Sequence, residues 1–289
     1  MATKQRGSGW SIKLVFTLYK VFGYNFIYYL MYPVSFFYFI FASNVRKSLK
    51  IYYEHLEIKF TNLRYYEHLR MFAITMVDRF ITKADPNSYT FYYDDAQQPL
   101  EIMKDATILL QSHFGGWASS PNVSRIQGTI YVVMQEALLD SIKEIEESID
   151  YKTNISVIDL NRGQLSVSIQ IANALMDKGV VAMMGDRASN ANGVIYTKFF
   201  GQSACFNKNP FQIAYKMDVP ILLYFVLFEK KQVYKFEYIP IYLDKTKNEA
   251  EAIEEALELY VKTYEKFIRQ YPNQWFNFYD FWNAKEKIA

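Results

Sequence analysis

"ATILLQSHFGGWASSPN", Ala106–Asn122, decides how the chain folds. Residues 106–112 form a short apolar run of the kind that is buried on both faces in a helix-covered parallel sheet. His113, Gly115 and Gly116 then end the strand and open a loop. Pro121 suits the first turn of a helix beyond it, where a missing N–H costs nothing. Strand, loop and helix in that order form the repeating unit of an α/β sheet. In such sheets, ligands collect at the loops on the carboxyl ends of the strands.

Working outward, the same alternation continues. "TIYVVM" (129–134), "ISVIDL" (155–160) and "VVAMMGD" (180–186) read as further strands. "EALLDSIKEIEES" and "GQLSVSIQIANALMDKG" between them read as helices, the second closed by Gly179. "PILLYFVLFE" (220–229) and "VYKFEYIPIYL" (233–243) are later strands joined by a tight turn at Lys230 and Lys231. "NEAEAIEEALELYVKTYEKFIRQY" is a long helix with an acidic start and a basic end, as its dipole favours. Upstream, residues 45–83 carry Leu49, Tyr52, Tyr53, Leu56 and Phe60 at helical spacing, until "ADPNS" (84–88) breaks the pattern. The expected fold class is therefore α/β, a mixed central sheet flanked by helices.

From Val21 to Ser43 the chain reads "VFGYNFIYYLMYPVSFFYFIFAS", without one charged residue. About 20 such residues suffice to span a bilayer. Arg46 and Lys47 follow with no small-residue cleavage site, which argues against a secretory signal. Asn25 and Pro33 leave a tilted, kinked or interfacial helix as an alternative to a clean crossing. The expected organisation is an N-terminal membrane anchor or interfacial helix (1–45) followed by an α/β domain (46–289). Aromatic residues make up 18% of the 289 residues, which suits a large apolar groove or a membrane interface. The net charge of +2 gives no argument for nucleic acid as a partner. The lone Cys205 fits a reducing compartment. The three histidines, His55, His68 and His113, are scattered, so no metal site is expected.

Two polar clusters follow strands: His113 after 106–112, and Asp186 with Arg187 after "VVAMMG". Adjacent strand ends would bring them to one cleft. Gly115 and Gly116 would let the backbone approach a ligand closely, and the helix after them could offer N–H groups to an oxyanion or phosphate. A histidine base that takes a proton from a hydroxyl, which then attacks an activated acyl group, is chemistry that fits.

Four segments, in order along nearly the whole chain, carry a family resemblance. They are "GSGWSIKLVFTLYKVFGYNFIYYLMYPV", "SHFGGWA", "NRGQ…ALMDKGVVAMMGDR" with "KFFGQSACFNKNPFQIAYKMDVPILLYFVL", and "YPNQWFNFYDFW". With them the chain resembles the lipid A late (lauroyl/myristoyl-type) acyltransferases, a branch of the glycerolipid acyltransferases marked by a His-x4-Asp/Glu motif. The resemblance implies a transfer of a fatty acyl chain from acyl carrier protein or acyl-CoA to a hydroxyl of a membrane lipid or glycolipid, with no bound cofactor. It implies work at the cytoplasmic face of a bacterial inner membrane. It makes His113 the general base and puts Asp186 and Arg187 in the second motif, with Arg187 facing an acceptor phosphate or the thioester carbonyl. Arg162 in "NRGQ" and Lys198 in "KFFG" become phosphate partners, and Lys198–Gly201 a wall of the cleft. In "YPNQW", Trp275 would pack and Gln274 would satisfy backbone groups.

The chain departs from the family at the acidic position, where Ala118 stands five residues after His113. Alanine can neither orient an imidazole nor stabilise its charged form. Three explanations stay open: an engineered change, a substitute group with the Asp186 carboxylate the best candidate and Ser119 or Ser120 a weaker orienter, or an inactive relative that binds lipid. An amine acceptor, which needs less help from a base, is a further alternative.

Overall fold

The computed structural model describes residues 9–95, 97–117, 128–134, 155–188 and 191–283. Helices α1 (Gly9–Phe41), α2 (Ser43–His55) and α3 (Asn62–Ala84) come first. Then follow β1 (Thr90–Tyr93), α4 (Gln97–Ile102), β2 (Thr107–Gln111), β3 (Ile130–Met134) and β4 (Ile155–Asp159). Next are α5 (Gln164–Met176), β5 (Val180–Met184), β6 (Val194–Phe199), β7 (Gln202–Asn207) and α6 (Asn209–Met217). The last elements are β8 (Ile221–Lys230), β9 (Val233–Ile241) and α7 (Glu249–Gln270). Ala118, the helix expected from Pro121 and the one expected over "EALLDSIKEIEES" lie outside the described residues.

Seven strands form a mixed sheet in the order β1-β9-β8-β2-β5-β3-β4. β8, β2, β5, β3 and β4 run parallel to one another, while β9 pairs antiparallel with β8 and parallel with β1. The fold class is the expected one. Alternate strand residues enter different cores, because successive side chains point to opposite faces. Ile108, Leu110, Val181, Met183, Leu223 and Phe225 join α2, α5, α6 and α7 on one face. Leu109, Ala182, Leu222, Tyr224 and Val226 join α1 and much of α3 on the other.

The amphipathic stretch over 45–83 is two helices rather than one. Glu57 takes a left-handed φ of 59°, which no helix interior accommodates, and the Thr61 side chain then accepts from Arg64 N at 3.2 Å to start α3. β1 and the β6–β7 hairpin are additions to the expected strand set. The hairpin turns at Phe200 and Gly201, both at positive φ, as a two-residue loop demands.

α1 begins well before the uncharged run and breaks its helical geometry at Gly23 (φ 73°, ψ 179°). Tyr24, Ile27, Met31 and Ser35 form its buried side, with the first three in the core beside α3. Its opposite side exposes Val21, Phe22, Phe26, Tyr29, Phe36, Phe37 and Ile40. Among the described residues no single helix is long and apolar enough to cross a membrane; α1 from Leu14 and α2 meet that test only as a pair bent by 90°.

His68 of α3 ties these helices to the C-terminal segment. It is fully buried, its Nε2 lies 2.6 Å from Trp275 O and its Nδ1 lies 3.0 Å from Tyr53 Oη. Nδ1 as acceptor and Nε2–H as donor satisfy both contacts only in the neutral ring. Burial lowers its pKa from 6.5 to about 4, against the opposing pull of the Trp275 carbonyl. The folded pKa lies below the unfolded one, so this neutral histidine contributes stability above pH 6.5 that is lost as pH falls toward 4. Denaturant titrations at pH 7 and pH 4.5 are expected to differ by about 2.5 kcal/mol from this group alone. His68→Gln, which keeps a donor and an acceptor, is expected to remove that part of the difference; an unchanged difference would contradict the assignment.

Candidate active site

β2 and β5 are neighbours in the sheet, in register from Thr107↔Val180 to Gln111↔Met184. His113 and Asp186 therefore leave the sheet side by side at its carboxyl edge. His113 Nδ1 lies 2.9 Å from Asp186 Oδ1 and 3.2 Å from Oδ2. The His113 backbone N–H donates to Oδ2 at 2.8 Å, as does the Asn277 side-chain amide. Tyr264 Oη adds a longer contact at 3.5 Å. The carboxylate has no exposed surface, while the imidazole keeps 19% of its own.

Burial alone would raise the Asp186 pKa. The charge and hydrogen bond of His113, the nearby Arg187 and the Asn277 amide outweigh it and hold the carboxyl below the ordinary range. An ionised carboxylate accepting at Nδ1 favours the tautomer with the proton on Nδ1, which makes Nε2 the basic ring nitrogen. Trp117 lies edge-on to the imidazole at a centroid distance of 5.1 Å.

Arg187 connects to the same group. Its Nε donates to Asn277 Oδ1 at 2.8 Å and its guanidinium lies 4.9 Å from the Tyr279 ring centre. Asn277 thus bridges the guanidinium and the carboxylate with its two amide atoms. It was not legible as a site residue from sequence, although a lone amide within "FNFYDFW" needs a buried partner. Gln274 acts as expected: its amide donates to Phe228 O at 2.8 Å and accepts from Phe228 N at 2.9 Å. Trp275 is fully buried and stacks on Tyr52 at 4.2 Å.

The close approach that the two glycines allow is to the protein itself. Gly115 N–H donates to Gln274 O at 2.8 Å and Gly116 N–H to Val226 O at 2.6 Å, so both amides are engaged in holding the loop. Phe276 N–H in turn donates to His113 O at 2.8 Å. The other expected site residues lie apart from the pair. Arg162 is exposed beyond the end of β4, two strands outward from β5, about 10 Å at the usual strand spacing. Lys198 is exposed on β6 and Gly201 forms the hairpin turn. It is Phe199 between them that reaches inward, stacked on Tyr264 at 5.7 Å. Among the described residues no group of three or more His, Cys, Asp or Glu side chains is placed to hold a metal ion.

Residues 97–284, well over half of the chain, match the family model for bacterial lipid A biosynthesis acyltransferases. The chain belongs to that family. Membership supports an acyltransferase acting on lipid A-type acceptors. The matched span includes His113, Asp186, Arg187 and Asn277 and begins after α3. No curated protein matches the chain.

Gly115 offers a sharp test of the loop. Its φ is +60°, and a Cβ there would lie 2.0 Å from Val226 O, the acceptor of the Gly116 amide. Gly115→Ala is expected to lower unfolding stability by about 2–4 kcal/mol in chemical denaturation. A loss below about 0.5 kcal/mol, the range of an ordinary surface change, would show that the loop is not clamped in this way.

Proposed function

We propose that the chain is a membrane-associated acyltransferase. It moves a fatty acyl group from an acyl-ACP or acyl-CoA thioester to a hydroxyl of a lipid A-type acceptor. His113 is the general base and Asp186 is its carboxylate partner. The observation that carries this reading is the 2.9 Å contact between His113 Nδ1 and the buried Asp186, in a chain of this family.

In this mechanism His113 Nε2 takes the hydroxyl proton as the oxygen attacks the thioester carbonyl. The tetrahedral intermediate collapses with cleavage of the carbon–sulfur bond, and the imidazolium returns its proton to the departing thiolate. Asp186 stabilises the transient imidazolium, the part the family's acid at the position of Ala118 would otherwise take. Arg187, exposed beside the pair, is suited to an acceptor phosphate or to the thioester oxygen. Arg162 and Lys198 are candidates for phosphates further out on the acceptor. The acyl group arrives already activated as a thioester, so the step calls for no resident cofactor. The intact base–acid pair favours catalysis over an inactive lipid binder, and a supported base suits a hydroxyl acceptor as well as an amine.

Two features favour a membrane setting at the cytoplasmic face of an inner membrane, where the thioester carriers are found. The first 53 residues hold seven Lys and Arg and no acid, whereas the remaining 236 hold 25 basic and 30 acidic residues. An apolar aromatic face bordered by cations suits an anionic bilayer surface. That face also sits near the reacting edge. Lys231 donates to Asn25 of α1 at 3.2 Å and lies over Tyr28 and Tyr29 at 4.4 and 4.2 Å. It follows directly on β8, whose Val226 pairs with Gly115. Lys230, the end of β8, is four residue steps along the strand from Val226, about 13 Å. A lipid acceptor has a short path from α1 to His113.

Thiol release from lauroyl-CoA in the presence of a lipid A precursor in mixed micelles tests the reading. His113→Ala is expected to lower the rate by about 10³-fold or more, and turnover equal to the parent would remove His113 from the mechanism. Ala118→Glu is expected to change the rate less than about fivefold, because Nδ1 already has its carboxylate; a rise of about 10³-fold would mark position 118 as the missing acid.

A further inference from the structure

Four elements converge on a buried carboxylate that the acyl-transfer step does not use. Asp78 of α3 has no exposed surface. Its Oδ1 accepts the Tyr89 hydroxyl at 2.7 Å, and its Oδ2 accepts Tyr234 at 2.5 Å and Tyr24 at 3.3 Å. The tyrosines come from α1, the residue before β1, and β9. Burial raises the Asp78 pKa to about 6 in spite of these three donors. Three neutral hydroxyls around an apolar centre could be satisfied without an ion and its desolvation. What an ion adds is strength and direction, since charge-assisted hydrogen bonds are shorter and roughly twice as strong as neutral ones.

The direction matters because of where the Tyr234 ring lies. A Cβ on Gly116 would sit 2.6 Å from Tyr234 Cε1 and 2.9 Å from Cδ1, so the ring is in contact with the backbone of the His113 loop. Gly116 is not among the glycines with positive φ, so its backbone would accept alanine; the obstacles are side chains, first of all this ring. The ring is itself stacked on Phe91 at 5.2 Å. The loop is therefore held from both faces of the sheet. Phe114 plugs the core of Tyr264 and Phe225 on one side, and Gly116 rests on Tyr234 on the other.

We propose that Asp78 is a positioning residue for acyl transfer: by holding the hydroxyl of Tyr234 it fixes the ring on which Gly116 rests, and so sets where the His113 imidazole meets the acceptor. It touches neither substrate nor His113 and acts through Tyr234. Tyr24 brings α1 to the same carboxylate, so the seat of α1 and the seat of the loop share one point. This role rests on the reading of His113 as the base.

A double-mutant cycle tests it, with Gly116→Ala made in the parent and in the Tyr234→Phe and Asp78→Asn backgrounds. The probes are lauroyl-CoA with a lipid A precursor in mixed micelles, and hydrogen exchange of the Gly116 amide. Tyr234→Phe and Asp78→Asn are each expected to lower kcat about tenfold with KM for the acceptor nearly unchanged, and to speed exchange of that amide. Gly116→Ala is expected to cost about 100-fold in the parent but under about tenfold in either background, because an unpinned ring can tilt away from the new methyl. Equal costs of Gly116→Ala in all three backgrounds would overturn the proposal. So would lower melting temperatures with kcat per folded molecule unchanged, which is the behaviour of a purely structural cluster. If the parent shows no transfer, the acyl-transfer reading fails separately. The exchange rates then decide whether Asp78 holds the loop, with unchanged rates refuting it.

Discussion

The contact between His113 and Asp186 is the constraint around which the rest of the site is arranged. A carboxylate without solvent costs several kcal/mol unless its lone pairs are filled by good donors. Here the donors are the His113 ring, the His113 backbone amide and the Asn277 side chain. None of these would be in place unless β2 and β5 were adjacent and parallel, which puts both strand ends at one edge. Nor would Asn277 be there unless the C-terminal segment crossed back over that edge. Gln274 pairs with the Phe228 backbone, Gly115 donates to Gln274 O and Phe276 donates to His113 O, which together lash that segment to the loop. The aromatic ending "YPNQWFNFYDFW" is in this sense the back wall of the histidine site.

Much of the sheet was legible in the sequence because its most deeply buried strands, β2, β5 and β8, leave nearly continuous apolar runs. β1, four residues long and none of them buried, left no such signal. The split between α2 and α3 was hidden because Leu56 and Phe60 keep helical spacing across the break, while the turn is made by the backbone of Glu57. His113 and Asp186 could be found because each follows a strand. Asn277 could not be paired with anything, since its partner is 91 residues away and periodicity carries no information at that range. The glycines were legible as sites of close approach, but the sequence does not say to what. The neighbours turn out to be Val226 and Tyr234 of this chain.

The reading of α1 follows from the same logic of faces. One side is committed to α3 and the core, and the other presents aromatic residues with no acid among the first 53 positions. Lys231 and Arg70 cap rings of α1 from β8–β9 and α3, with Arg70 over Tyr32 at 4.7 Å. The helix is thus fastened to the body at the edge where the reaction is proposed to occur. Family membership and geometry bear on different parts of the account. The family supports the reaction class, and the strand ends place His113 beside a buried carboxylate, the pair proposed to act as base and partner although the motif position is Ala118.

That the buried Asp186 supports His113 in place of a residue at 118 is the central claim, and the single-turnover rate of Asp186→Asn tests it most directly. The acyl-transfer rate from lauroyl-CoA to a lipid A precursor at pH 7 is predicted to fall by about 10³–10⁴-fold, the scale on which loss of an orienting acid acts in histidine-based acyl transfer. A rate within about fivefold of the parent, from protein with an unchanged melting temperature, would contradict it.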